Sequence, residues 1–99
     1  MTSYSEFATR DLRLVLLREL ASQPDYTANE AVLHRVAEAF GHHRSRDHIR
    51  AQLRWLADVE AISVREVADV LVATLRSRGL DHVEGRALID GVNRPSPER

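Results

Sequence analysis

The chain has 99 residues, which fits one domain and is too short for two independent hydrophobic cores. It contains no cysteine, and this excludes disulfides, thiolate zinc sites and cysteine nucleophiles. The formal net charge is −1, and the sequence has neither an apolar run long enough to span a bilayer nor the pattern of a signal peptide. We therefore expect one cytoplasmic domain without membrane contact.

The first predicted helix covers residues 5–22 and ends before Pro24, because proline cannot continue a helix. Its apolar residues occupy more than one stripe, so the helix should be buried over a wide face. They are Leu12, Leu14, Val15, Leu16, Leu17 and Leu20. Two arrangements explain such a face: a central helix in a monomer, or a helix that packs on its own core and on a second subunit.

The second and third predicted helices are separated by a short break. Thr27 and Glu30 form a capping box at the start of the second helix, and Gly41 ends it. Ser45 is the expected N-cap of the third helix. The core-facing residues are predicted to be Val32, Leu33, Val36, Ala37 and Phe40 in the second helix and Ile49, Leu53 and Leu56 in the third. Two helices joined by about four residues are typical of a helix-turn-helix.

After Glu60 the apolar period changes from that of a helix to that of a strand. The alternating residues are Ile62, Val64, Val70, Val72 and Thr74. Residues 65–69 lie between the two runs and form the expected hairpin tip. A short helix over residues 76–86 follows. The prediction is a mainly α winged helix-turn-helix domain over residues 1–90, with three core helices, a two-stranded wing, a short C-terminal helix and a flexible tail over residues 91–99.

The third helix has the sequence pattern most typical of nucleic-acid binding. Residues 42–54 contain four arginines and one acidic residue, so positive charge is concentrated there. On a helical wheel the apolar stripe takes one side and the arginines flank a small alanine on the other. Arginine gives bidentate hydrogen bonds to guanine or binds phosphate, and the first-turn amides of a helix can hold a phosphate. The candidate DNA-contacting residues are Ser45, Arg46, Asp47, His48, Arg50, Ala51, Arg54 and Arg65.

A solvated charged face explains the same spacings. Arg50 can pair with Asp47, and Arg54 with Asp58, because residues three or four apart are neighbours on a helix.

The wing is a poor match to a phosphate-binding element. Its tip offers Arg65 but also Glu66 and Asp69, whereas a wing that contacts phosphates is usually more basic. It is equally consistent with a structural hairpin that stays off the DNA.

Three histidines cluster near the start of the third helix, but no metal site is predicted. His42 and His43 are adjacent and point apart, and no thiolate is present. We expect His42, His43 and His48 to be exposed near phosphates, with a charge that rises at lower pH. Trp55 lies off the core stripe and is expected to pack under the wing or against the first helix.

Two segments resemble winged-helix regulators. The sequence LRWLAD at residues 53–58, followed by ISV at residues 62–64, resembles the passage from recognition helix to wing in ArsR- and MarR-like proteins. VATLRSRGL at residues 72–80 resembles their second wing strand and closing helix. Nearly the whole chain is similar to small ArsR-like proteins of Mu-like phages and prophages. The resemblance implies a winged-helix fold, a phage context and transcription regulation. The cysteine pair of ArsR metal sensors is absent.

We therefore expect a DNA-binding protein, a homodimeric phage or prophage transcriptional regulator that reads the major groove with its third helix. The alternative is a winged-helix interaction module that binds a phage protein during head assembly or DNA packaging, without DNA readout. The nearly neutral net charge and the acidic wing favour this alternative. No enzyme and no cofactor are predicted, because the sequence has no nucleophile motif, glycine-rich phosphate loop or convincing carboxylate pair.

Overall fold

The computed structural model describes residues 3–96, which form four helices and a three-stranded antiparallel sheet in the order β1-β3-β2. The elements are α1 (Tyr4–Ser22), β1 (Thr27–Asn29), α2 (Glu30–Ala39), α3 (Arg46–Asp58), β2 (Ile62–Val67), β3 (Val70–Leu75) and α4 (Ser77–Val83). This α+β architecture is compatible with a winged helix. No helix within the described residues has the length and apolar character needed to cross a membrane.

Helix α1 is the central helix of the chain. Ser3 caps it in a reciprocal capping box with Glu6. All six apolar residues of its predicted wide face are buried in the single chain. Helices α2 and α4 and strand β3 pack around it. The wide apolar face therefore does not need a second subunit to cover it.

The predicted capping box of α2 is wrong. Thr27 lies in β1, which pairs with β3, and its hydroxyl is 3.0 Å from that of Thr74 across the strands. The N-cap is Asn29, whose side chain accepts a hydrogen bond from the Val32 amide over 2.9 Å. Strand β1 was not predicted, because its partner is distant in sequence and its three residues show no local strand pattern.

The buried face of α2 is also narrower than predicted. Leu33 and Ala37 are fully buried, as expected. Val32 and Phe40 are exposed and Val36 is only partly buried. The predicted stop at Gly41 is confirmed in position, since the helix ends at Ala39 and the glycine has a φ of +92°, which suits a residue without a side chain.

Helix α3 follows the sequence prediction closely. The Ser45 side chain accepts from the His48 amide over 3.0 Å and caps the helix. Ile49, Leu53 and Leu56 are all fully buried. This face fixes the rotation of α3, so its opposite face is turned outward.

The hairpin of β2 and β3 is longer and its tip tighter than predicted. Arg65 lies inside β2, and the turn is only Ala68–Asp69, with φ angles of 51° and 67°. Two consecutive left-handed residues are typical of a type I′ turn, which matches the twist of a hairpin. The predicted alternation in β3 is on the wrong face, because Leu71, Ala73 and Leu75 are buried while Val70, Val72 and Thr74 are only partly buried.

The C-terminal segment is docked further than predicted. Helix α4 ends at Val83, and His82 is fully buried, with its Nδ1 accepting from the Ile89 amide and its Nε2 bonding to the Asn93 carbonyl. Val92 is buried and the Asn93 amide donates to the Arg10 carbonyl. The flexible tail predicted from residue 91 therefore begins too early, because residues 91–93 pack on the domain. Residues 97–99 of that tail lie outside the described residues.

Candidate nucleic-acid interface

Five of the predicted residues lie on the outward side of α3, opposite its buried stripe: Arg46, Asp47, Arg50, Ala51 and Arg54. Asp47 and Ala51 are exposed, and the side chains of Arg46 and Arg54 are 48% and 55% exposed. Arg50 is more enclosed, at 25%. The helix therefore presents three guanidinium groups along one face, with the small alanine among them.

A buried carboxylate lies beneath two of these arginines. Glu30, the first residue of α2, is 1% exposed. Its Oε2 accepts from Arg46 Nε over 2.9 Å, and its Oε1 accepts from Arg50 Nη1 and from the backbone amide of Leu71, each over 2.5 Å. Glu30 therefore joins α2, α3 and β3 at one point.

The sequence predicts a capping role for Glu30 and not this network. The available signal was its phase: Glu30 is three residues before Leu33 and seven before Ala37, so all three occupy one helical face. An acidic residue in phase with a buried stripe predicts a buried charge that needs cationic partners.

The pKa of Glu30 is lowered from its ordinary value. Burial alone disfavours the charged form and acts in the opposite direction. The hydrogen bonds from Leu71 and Arg46, and the positive charges of Arg50 and Arg46, outweigh burial. The carboxylate is therefore ionised at neutral pH and neutralises part of the charge of the two arginines.

The β2–β3 hairpin adds further negative charge to the same face. Glu66 of β2 lies 3.9 Å from Arg50 Nη2 and 3.9 Å from Arg54 Nη2, and Arg50 Nη1 donates to the Asp69 carbonyl over 3.2 Å. Together these side chains border an open depression of about 560 Å³, lined by Glu30, Arg46, Asp47, Arg50, Glu66 and Asp69.

The helix-internal ion pairs considered from sequence are not formed in the described part of the chain. Arg50 pairs with Glu30 and Glu66 instead of Asp47, and Arg54 approaches Glu66 instead of Asp58. The charged face is thus organised by tertiary contacts from α2 and the β2–β3 hairpin.

Arg65 is not brought together with the α3 residues. Side chains alternate along a strand, so Arg65 lies on the face of β2 opposite Glu66. Because Glu66 faces the arginines of α3, Arg65 faces away from them.

His48 is partly buried and its pKa is lowered, first by burial and then by the charges of Arg44 and Arg13. It is therefore mainly neutral at pH 7 and adds no positive charge to the face, contrary to the expectation for an exposed histidine.

Of the other two histidines of the cluster, His43 is exposed as expected, whereas His42 is partly buried and has a structural contact. His42 Nε2 lies 2.8 Å from Asp11 Oδ2 and links the turn before α3 to α1. Within residues 3–96, no group of three or more histidine, aspartate or glutamate side chains is placed to hold a metal ion. Trp55 packs against the first helix, one of the two predicted positions, with the Arg13 guanidinium 3.6 Å from the ring centre.

A second surface feature was not predicted from the sequence. Tyr4, Phe7 and Phe40 are 85%, 54% and 60% exposed. They line a depression of about 420 Å³ between the start of α1 and the end of α2. Exposed aromatic groups of this kind are typical of surfaces that bind other molecules.

Two relatives cover most of the chain. The uncharacterized protein gp26 of Escherichia phage Mu is 43% identical over 93 residues, which are 94% of this chain and 96% of that protein. An uncharacterized protein of Haemophilus influenzae is 37% identical over 79 residues, which are 79% of this chain and 76% of that protein. No protein-family model matches the chain, and no solved structure matches it at a significant level. The chain therefore belongs to the family of phage Mu gp26.

Proposed function

We propose that the protein binds double-stranded DNA through the outward face of α3 and acts as a phage or prophage transcriptional regulator of the ArsR-like winged-helix type. The observation that supports this function best is the row of Arg46, Arg50 and Arg54 beside the exposed Ala51. A helix that enters the major groove needs bidentate donors and a small residue that lets the backbone approach the base edges.

The three arginines have different expected roles. Arg46 and Arg50 are bonded to a buried carboxylate, which suits directed hydrogen bonds to bases. Among residues 3–96, the ion-pair partner of Arg54 is the exposed Glu66 at 3.9 Å, a loose approach that leaves its guanidinium available to a phosphate.

The direct test is a selection of binding sites from random duplex DNA, followed by mobility shifts with the selected site. Arg54→Ala should weaken binding by roughly tenfold. Arg86→Ala is the matched control, because Arg86 is an equally exposed arginine paired with Asp81 and Glu84 outside this face. If wild type selects no site, or if Arg54→Ala binds as tightly as Arg86→Ala, the proposed interface is wrong.

We also propose that the DNA-binding form is a homodimer, because helix-turn-helix proteins commonly bind two half-sites with two-fold symmetry. The aromatic surface of Tyr4, Phe7 and Phe40 is available for the second copy, since α1 itself is covered within the chain. Light scattering should show a dimer for wild type and a larger monomer fraction for Phe40→Ser. A wild-type monomer at micromolar concentration contradicts this proposal.

A protein-interaction module without DNA readout is the second candidate, and the same aromatic surface favours it. Its partner would be a phage protein of head assembly or DNA packaging. Co-purification with such a protein, lost in Phe40→Ser and retained in Arg54→Ala, together with no salt-dependent DNA affinity, would favour this function over DNA binding.

A further inference from the structure

Glu30 has an unusual position for a carboxylate. It is 1% exposed, and the three donors that reach it within the described residues belong to α3 and β3, other elements of the proposed DNA-binding unit. Replacing a buried ion pair with apolar residues is often neutral or stabilising, so stability alone is a weak reason for such a group. Its geometry indicates a second role.

The two arginines bonded to Glu30 are one helical turn apart on α3. Arg46 uses Nε and Arg50 uses Nη1, so each guanidinium keeps other N–H groups that do not point at Glu30. Arg50 Nη1 also reaches the Asp69 carbonyl at the wing tip. A long side chain held at one nitrogen has few remaining orientations, and its other donors are therefore directed.

The wing is tied to the same carboxylate. The Leu71 amide of β3 donates to the Oε1 atom that also accepts from Arg50. The hairpin and α3 therefore share an acceptor, and a shift of one relative to the other would break a buried charge-assisted hydrogen bond.

We propose that Glu30 is a positioning residue for DNA readout: its carboxylate fixes Arg46 and Arg50 and locks the hairpin to α3, so that the two arginines discriminate between base pairs. This inference depends on the proposed DNA binding. It separates the arginines by role, since Arg46 and Arg50 are partly neutralised by Glu30 and supply direction, whereas Arg54 supplies charge.

The test compares Glu30→Gln with Glu66→Gln, using the DNA site selected by wild type and a duplex with substituted central base pairs. Both variants remove one negative charge from the arginine face, but Glu66 is exposed and lies 3.9 Å from its partners. Glu66→Gln should raise affinity for both duplexes by a similar factor and leave their ratio unchanged. Glu30→Gln should lower the ratio by about tenfold while affinity for the substituted duplex does not fall.

A purely structural role for Glu30 predicts a different result. Affinity for both duplexes would then fall together, in proportion to the unfolded fraction measured by circular dichroism. That result, or an unchanged ratio in Glu30→Gln, would overturn the proposal. If Glu30→Gln does not fold, Glu30→Asp replaces it, because the shorter side chain keeps the charge but cannot reach all three donors; a wild-type ratio in a folded Glu30→Asp would also overturn the proposal.

A measurement on the free protein distinguishes failure of this inference from failure of DNA binding. In wild type, the NMR signal of the Arg46 Nε–H group, which donates to Glu30, should be separate from those of exposed arginines and slow to exchange with water. Glu30→Gln should move this signal to the position of exposed arginines, whereas Glu66→Gln should leave it unchanged. Absence of DNA binding by wild type would refute the proposed function, and identical arginine signals in wild type and Glu30→Gln would refute positioning.

Discussion

Removal of Arg50 tests the buried network through stability. In Arg50→Ala, Glu30 loses the donor at 2.5 Å and keeps Arg46 and Leu71, while the Asp69 carbonyl can turn to water. A charge-assisted hydrogen bond contributes about 1.5–3 kcal/mol, and breaking a buried ion pair costs about 3–5 kcal/mol. Because Glu30 keeps two donors, we expect Arg50→Ala to lower the free energy of unfolding by about 3 kcal/mol, the lower end of the range for a broken buried ion pair.

The matched variant is Arg54→Ala. Its ion pair with Glu66 spans 3.9 Å between half-exposed side chains, so its loss should change the free energy of unfolding by less than about 0.5 kcal/mol. Urea denaturation followed by circular dichroism gives both values, with the slope against urea concentration unchanged. In a thermal melt, Arg50→Ala should unfold about 12–24 °C below wild type. If Arg50→Ala loses as little stability as Arg54→Ala, the hydrogen bond from Arg50 to Glu30 does not stabilise the fold.

Other consequences concern acid stability and two backbone positions. The pKa of Glu30 is lower in the folded chain than its ordinary value, so its stabilising effect is present above about pH 4.5 and lost as the pH falls through the folded value. Between about pH 7 and pH 3, Glu30→Gln should therefore lose less stability than wild type. Equal losses of melting temperature in the two proteins would contradict this prediction. Asp69→Gly should stabilise the hairpin by about 1 kcal/mol, because Asp69 has a φ of 67°, which glycine adopts without strain. A urea midpoint below that of wild type would contradict this prediction. Gly79→Ala should destabilise the folded chain by about 2 kcal/mol, because the added Cβ would collide with the Ala61 carbonyl and lie 2.7 Å from Leu75 Cδ1. A melting temperature equal to that of wild type would contradict this prediction and show that α4 can shift to make room.

Elements specified by adjacent residues could be predicted from the sequence. The start of α3 follows from Ser45 and its core face from Ile49, Leu53 and Leu56, since capping and helical periodicity are local properties. The start of α2 could not be predicted, because Thr27 lies in a strand that pairs with Thr74, 47 residues away. A nearby glutamate made a capping box the simpler local interpretation.

In the candidate site, too, features set by adjacent residues could be predicted and features set by tertiary contacts could not. A helical wheel predicts the outward arginines, but their partners come from α2 and the β2–β3 hairpin, which the wheel does not include. The phase of Glu30 relative to Leu33 and Ala37 indicates a buried charge, but only tertiary packing determines which groups donate to it. The side of the hairpin on which Arg65 lies depends on the alternation of side chains along β2. The sequence predicts Arg65 in the hairpin tip, and that position does not indicate that it faces away from α3.

The salt dependence of DNA affinity tests the central claim most directly. Binding of wild type, Arg54→Ala and Arg86→Ala to the selected duplex would be measured by fluorescence anisotropy over a range of salt concentrations. If α3 lies on DNA with Arg54 at a phosphate, the logarithm of affinity should fall linearly with the logarithm of salt concentration. The slope for Arg54→Ala should be shallower than that of wild type by about 1, with Arg86→Ala matching wild type. Affinity that does not depend on salt, or equal slopes for all three proteins, would contradict DNA binding through this face.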